Sequence, residues 1–260
     1  MKEYKIAICV LIKDETEYLK EWLDWHFGLG ITDIYLYEDY NSVSHLDITN
    51  KYNNAYLDKI GRVLSEEYPA DFQFTKKGSW RQSYLYRYFY NKYRDKYDWI
   101  MFIDIDEFLI LKKPLQEILD EFKNNLAIKF KWRIMTANGH IKKPAGNVMD
   151  NYTEVYKKSF NYNYDCKSII NCRLNKSINW KIYIHTIKGA VFPVNEFGEH
   201  YGYINHYFTK SWEEWKFKLL SRGDICQGNR KIQDFFEINK DMRKIKNDLI
   251  SEINMSHNCN

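Results

Sequence analysis

Hydrophobic and polar positions alternate along the first half of the chain with two periods, and the switches between them mark out the elements. "YKIAICVLI" is an unbroken, β-branched-rich run and reads as a strand buried on both faces. In "DETEYLKEWLDWHFGLG", Tyr18, Leu19, Trp22, Leu23, His26 and Phe27 fall on one stripe of a helix that Gly28 or Gly30 ends. "ITDIYLYED" is a second strand. Strand, helix and strand with short joints form a βαβ unit, which requires a parallel sheet and a right-handed crossover. "GRVLSEEY" is expected as a third strand, "RQSYLYRYFYNKYRD" as a helix and "YDWIMFID" as a further buried strand. A helix over "LQEILDEFKNN" and a strand over "LAIKFKWRIM" follow.

From about residue 137 to 200 the pattern weakens, leaving short strand-like pieces such as "KSIINCRL" and "WKIYIHTI". A helical "SWEEWKFKLLSRG" and a charged helical tail close the chain. No repeat, low-complexity linker or composition break divides it, so the expectation is one α/β domain: a mostly parallel, Rossmann-like central sheet flanked by helices, with an irregular C-terminal half. The apolar run near the N-terminus is seven residues long and meets Lys13-Asp14-Glu15, too short and wrongly flanked for a signal peptide or membrane span.

Composition changes this picture in three ways. A net charge of +4 on 39 basic and 35 acidic residues is no basic stripe, which argues against nucleic acid as a partner. Cys9, Cys166, Cys172, Cys226 and Cys259 include no Cys-x-x-Cys pair and are odd in number, a pattern that suits reduced thiols in a cytoplasmic protein. Aromatic residues make up 17%, enough to supply stacking surfaces for ring-shaped ligands.

The candidate chemistry lies just past predicted strand ends. Asp14 and Glu15 follow the first strand, Glu38 and Asp39 the second, and Asp104, Asp106 and Glu107 the later one. Ligands of open parallel sheets bind outside the carboxyl ends of the strands. One acid there is explained as a helix cap; three groups on one rim are not. Neither Gly-x-Gly-x-x-Gly nor a P-loop is present, so a phosphate ligand needs another counter-charge. Asp104 and Asp106 are two apart, and in extended backbone they point to one side. There they can bracket a divalent cation that offsets their repulsion, Mn²⁺ or Mg²⁺ rather than zinc.

"IKDETEYLKEWLDWHFGLGITDIYLYED", "WIMFIDIDEFLIL", "KWRIMTANGHIKKPAG", "KSII" and "INHYFTKSWEEWKFKLLSRGD" occur in an order that resembles glycosyltransferases of the GT-A fold, in particular the family-92-like group related to family 2. The resemblance implies a single glycosyltransferase domain, in which 1–115 carries the nucleotide-sugar and metal half, 116–210 the acceptor side and 211–260 a helical tail. It implies a UDP-sugar donor, Mn²⁺ dependence, inversion at the transferred carbon, and a glycan or lipid-linked saccharide as acceptor. Asp104 and Asp106 match the metal and donor motif, and His206 matches the late histidine that completes the metal site. Asp14, Glu15 and Glu38 match positions near base and ribose. Two blocks depart from the pattern: "EDYNS" stands where Asp-Asn-x-Ser is usual, and "MTANG" where Phe-Gly is.

For the remaining roles, Lys167 or Lys210 is a candidate to assist the departing diphosphate. Glu199 is the first candidate for the base, with Asp150, Asp165, Glu196 and Glu107 as alternatives; His185 and His200 rival His206 as ligand. A sugar-nucleotide nucleotidyltransferase is disfavoured because "LIKDETEY" has no glycine. A binding protein of the same fold that has lost catalysis is disfavoured by the intact Asp104, Asp106 and His206. A transferase with lipid-linked acceptors would work at the inner face of a membrane, as a peripheral protein.

Overall fold

The computed structural model describes residues 3–71, 78–156, 165–174, 187, 189–222 and 231–245. By contacts the chain divides into two compact units, Met1–Arg133 with Ser159–His206, and Ile134–Lys158 with Tyr207–Asn260.

The first unit is the α/β fold expected. β1 (Ile6–Ile12) leads into α1 (Thr16–Gly28), β2 (Asp33–Glu38), a short α2 (Leu46–Thr49), β3 (Ala55–Lys59) and α3 (Ile60–Glu67). α4 (Gly78–Tyr93), β4 (Trp99–Phe102), β5 (Glu107–Leu111), α5 (Leu115–Glu121), β6 (Ala127–Ile134), β7 (Cys166–Asn171) and β8 (Gly202–His206) complete it. The eight strands form a mixed sheet in the order β3-β2-β1-β4-β7-β6-β8-β5. β1 pairs in parallel with β2 and β4, and β2 with β3. β4 with β7, β7 with β6, and β5 with β8 are antiparallel. All seven residues of β1 are buried, as a strand covered on both faces must be.

One element differs in kind. "GRVLSEEY" is helical over Ile60–Glu67, with Ile60, Val63 and Leu64 buried at i, i+3, i+4 spacing. The third strand is instead the preceding "AYLDK", an edge strand with no fully buried residue. An edge strand with both faces half-wet leaves little hydrophobic pattern, whereas the β-branched Val63 gives the following helix a strand-like look. The run 180–186, including His185, lies outside the described residues, as do Cys226 and Cys259. Cys9, Cys166 and Cys172 are buried.

α1 carries the predicted stripe: Tyr18, Leu19, Trp22, Leu23 and His26 are buried, while Phe27 is half-buried and stacks on Tyr52, with ring centroids 5.7 Å apart. The helix stops where Gly30 takes φ +88°, which costs glycine nothing. Its indoles reach across to β5. Trp22 Nε1 donates to the Glu107 carbonyl at 2.8 Å, and Trp25 Nε1 donates to that of Leu109 at 2.9 Å. His26 Nδ1 donates to the Trp22 carbonyl at 2.8 Å.

In the second unit, α6 (Val148–Asn151) precedes α7 (Trp212–Phe217), a π-turn over Lys218–Arg222, α8 (Ile232–Ile238) and a 3₁₀ segment, Lys240–Ile245. Ala137, Trp212, Trp215, Phe235, Phe236 and Met242 form its core. Ser211 caps α7 in a reciprocal box with Glu214.

Burial holds His26 neutral, with its pKa pushed down to about 4 from 6.5. Because the folded value is the lower one, its contribution is complete above pH 6.5 and is lost as pH falls toward 4, where the unfolded chain takes up a proton that the folded chain refuses. Urea unfolding is expected to show about 3 kcal/mol less stability from this group at pH 4 than at pH 7. His26→Gln should remove that portion of the pH slope. An unchanged slope would show that His26 is not the group responsible.

Candidate active site at the carboxyl ends of the parallel strands

The chain runs outward from β1 to β2 and β3, then returns to place β4 on the other side of β1. That reversal makes the carboxyl ends of β1 and β4 the switch point of the sheet, the place where ligands of open α/β sheets bind. Asp14 and Glu15 follow β1, Glu38 ends β2, and Asp104 follows β4, so the three groups do share one rim.

The β1 and β2 groups brace one another. Asp14, in the left-handed region at φ +52°, receives the Val43 amide on Oδ1 at 2.9 Å, while its own N–H donates to Ser42 Oγ at 3.1 Å. Glu38 Oε1 accepts from the His45 amide at 2.7 Å and lies 3.1 Å from His45 Nδ1. The Glu15 amide donates to His45 Nε2 at 3.0 Å, which fixes the tautomer with its proton on Nδ1, facing Glu38. Asp39 pairs with the buried Arg81, whose guanidinium also lies 5.3 Å from the centre of the Tyr40 ring. The next residue of α4, Gln82, donates to Asp104 Oδ1 at 2.7 Å. Two adjacent side chains of one helical turn therefore hold acids from two different strand ends. His45, Arg81 and Gln82 escaped the sequence reading: each is a lone polar residue in an ordinary setting, and only the fold gives it a partner.

Past β4 the expected geometry changes. Asp104 and Asp106 do not sit in extended backbone but in a tight turn, closed by the Glu107 amide donating to the Asp104 carbonyl at 3.1 Å. Lys167 Nζ lies 2.6 Å from Asp104 Oδ2 and 3.6 Å from Glu107 Oε2, and Glu107 Oε2 also accepts the Asp104 amide at 2.9 Å. The side chains of Lys167 and Glu107 are both 0% exposed, and Glu107 Oε1 is buried without a hydrogen-bond partner. Burial alone would lower the Lys167 pKa, but Asp104 and then Glu107 outweigh it and keep the ammonium charged. Burial pushes the Glu107 carboxyl well up, against the pull of Lys167.

Asp106 has a different neighbour. Its Oδ1 lies 3.5 Å from His206 Nε2, because β5 and β8 pair Glu107 opposite His206 and so deliver the histidine beside the turn. Both side chains are nearly buried, and the Trp132 ring lies 4.4 Å from the imidazole, centre to centre.

Two expectations are corrected. Lys167 is no free cation for a diphosphate, since it is sealed in the core between two carboxyl groups. Glu199 is not at this rim. It is exposed, bonded through Oε2 to Asn195 Nδ2 at 2.9 Å, and precedes the start of β8, whose other end carries His206. The five-residue strand alone separates them by roughly 13 Å at about 3.3 Å per residue.

The family model of glycosyltransferase family 92 matches residues 4–253. The chain belongs to glycosyltransferase family 92. A rice (Oryza sativa subsp. japonica) family 92 protein is 23% identical over 230 residues, covering 85% of this chain and 36% of the rice protein. The chain thus spans about a third of that relative's length. Among solved structures, a 4-diphosphocytidyl-2C-methyl-D-erythritol synthase overlaps at TM-score 0.39 and 9% identity, covering 77% of this chain and 92% of that one. Mouse xyloside xylosyltransferase 1 overlaps at 0.34 and 10%, covering 68% and 70%. Core-mannan synthase A of Aspergillus fumigatus, in a manganese and GDP form, overlaps at 0.35 and 8%, covering 69% and 63%.

Does this family 92 site fit a divalent cation? Among the described residues no group of three or more His, Cys, Asp and Glu side chains is arranged to hold one. Both Asp104 oxygens already face protein donors, Gln82 and Lys167. Asp106 and His206 do fit: neighbouring ligands at about 2.1 Å from an octahedral ion lie about 3 Å apart, close to the observed 3.5 Å. Two protein donors suffice for an ion that takes its remaining ligands from water and phosphate.

Removing Lys167 leaves two carboxyl groups around an empty, dry space. Lys167→Met is expected to lower stability by about 3 kcal/mol in urea unfolding, the usual consequence of deleting one partner of a buried pair. Lys167→Met with Glu107→Gln should regain part of that loss. A single variant as stable as the parent would show the charge network to be unimportant.

Proposed function

We propose that this chain is a glycosyltransferase that moves a sugar from a UDP-sugar to a glycan or lipid-linked saccharide, with Mn²⁺ or Mg²⁺ held by Asp106 and His206. The observation that carries the proposal is that carboxylate–imidazole pair, 3.5 Å apart beside the switch point of the sheet in a family 92 chain. When bound, the cation supplies positive charge to the departing diphosphate.

The chain's own groups do the rest. Gln82 and Lys167 hold the Asp104 carboxylate and Glu107 holds its backbone amide, which leaves the partly exposed edge of the carboxylate to receive hydroxyl donors of the bound nucleotide sugar. Asp14, Glu15 and Glu38, through Ser42, Val43 and His45, hold the 38–45 loop beside the switch point, where the nucleotide would lie. In this reading they act as a brace for base and ribose rather than as free carboxylates. Trp132 walls the pair and limits water around it.

Thermal unfolding with UDP and Mn²⁺ tests the metal pair directly. At UDP roughly a hundredfold above its Kd, the complex should be about 2.7 kcal/mol more stable than the free protein, and EDTA should abolish the gain. Asp106→Asn and His206→Ala should each lose most of it while keeping the metal-free melting temperature near that of the parent. UDP-sugar turnover should fall on the order of a hundredfold or more. UDP binding that persists unchanged in both variants would overturn the assignment.

A further inference from the structure

The antiparallel half of the sheet carries a surface that the donor chemistry does not use. Burial alternates along β6, so Lys129, Lys131 and Arg133 share one half-open face, opposite the buried Ile128, Phe130 and Trp132. Aromatic rings from the next segments lie among these cations. Lys129 and Lys131 are 4.5 and 4.9 Å from the Phe192 ring centre, and Arg133 is 4.7 Å from that of Tyr203. Lys112 lies 6.0 Å from Tyr203, and Lys113, which also pairs with Glu121, lies 3.7 Å from Tyr201.

A hairpin projects beside this face. Val194 bridges His200, and the Asn195 amide donates to the Glu199 carbonyl at 2.9 Å. Asn195 Oδ1 accepts the amides of Phe197 and Glu199 at 3.0 and 2.9 Å, and Gly198 takes φ +78° to close the turn. At the tip, Phe197 is 80% exposed. The turn thus holds a phenyl ring in water on a braced loop, at a cost in exposed apolar area that its own contacts do not offset. The His200 imidazole is pushed down by partial burial and by Lys131 and Lys112, so the positive field reaches the base of the hairpin.

We propose that this face docks the protein on an anionic phospholipid bilayer, with Phe197 entering the acyl boundary and Lys112, Lys129, Lys131 and Arg133 meeting the headgroups. Both parts of the surface point to that occupant. Basic side chains are drawn to an anionic leaflet, and flanking tyrosines suit the headgroup layer. A soluble polyanion would satisfy the cations but offers no apolar phase for the phenyl ring. Glu196 and Glu199 flank the tip and oppose adsorption, so the lysines and arginine of the sheet face must supply the net attraction. Among the described residues no helix is long and apolar enough to cross a membrane, so this is attachment at the surface. The proposal is independent of the donor chemistry.

Co-sedimentation of the full chain with vesicles tests it. The protein should pellet with equal parts phosphatidylcholine and phosphatidylglycerol, stay in solution with phosphatidylcholine alone, and be released by salt. Lys129→Gln with Lys131→Gln should weaken partitioning about 25-fold, at about fivefold per lysine. Phe197→Ser should weaken it as well, whereas Lys51→Gln, away from this face, should not. Phe197→Trp should give an emission shifted to the blue on adding the anionic vesicles. Circular dichroism melts matching the parent confirm that the variants fold. Absence of pelleting with the anionic vesicles, pelleting that the lysine and Phe197 variants leave intact, or retention on heparin without vesicle binding would each overturn it.

Discussion

An ammonium group with no access to water organises the rim of this sheet. Lys167 reaches from β7 into a space closed on the other side by the turn after β4, where it meets Asp104 and Glu107. A charge so placed is tolerable only if its counter-charges are fixed. That requirement holds the Asp104 rotamer and the hydrogen-bonded turn, and the turn in turn aims Asp106 toward His206. Chemistry at the rim and packing beneath it are therefore one problem. The carboxylate that looks most like a ligand in sequence is the one the core uses to neutralise its own lysine.

The same turn is held from below by α1. Indoles of Trp22 and Trp25 donate to successive outward carbonyls of β5, and His26, kept neutral by burial, ties the helix to itself. These are hydrogen bonds between elements more than 80 residues apart in sequence. They fix the start of β5, and through the β5–β8 register they fix where His206 arrives. The turn that carries Asp106 leads straight into this anchored strand and His206 ends its partner strand, which favours a constant distance between the two candidate ligands.

Much of this was legible beforehand, and the failures have physical causes. The buried strands and α1 announced themselves because burial on one stripe or both faces leaves a strong pattern. The rim was legible because acids past strand ends have few structural uses. β3 leaves no signal because a half-wet edge strand needs no pattern, and Ile60–Glu67 shows little helical periodicity because a single turn of apolar contacts suffices to bury a helix of eight residues. Sequence offers Lys167 as a diphosphate partner because a lysine's burial leaves no mark in it. Glu199 and His206 are close along the chain, but an extended strand carries such neighbours far apart.

By itself, the sequence determined the α/β class, the order of the principal elements and the family, because periodicity, capping and ordered motif blocks are local properties. Tertiary structure alone decided which of the two aspartates faces the histidine, which acids brace a loop, and which lysines share an open face with an exposed phenylalanine. It also decided that the segment beginning at Ile134 falls in one compact unit with the segment beginning at Tyr207. The reason is the same in each case. Partners in a charge pair or a core are chosen by distance in space, and strand register and helix packing set that distance between segments whose own sequences carry no record of one another.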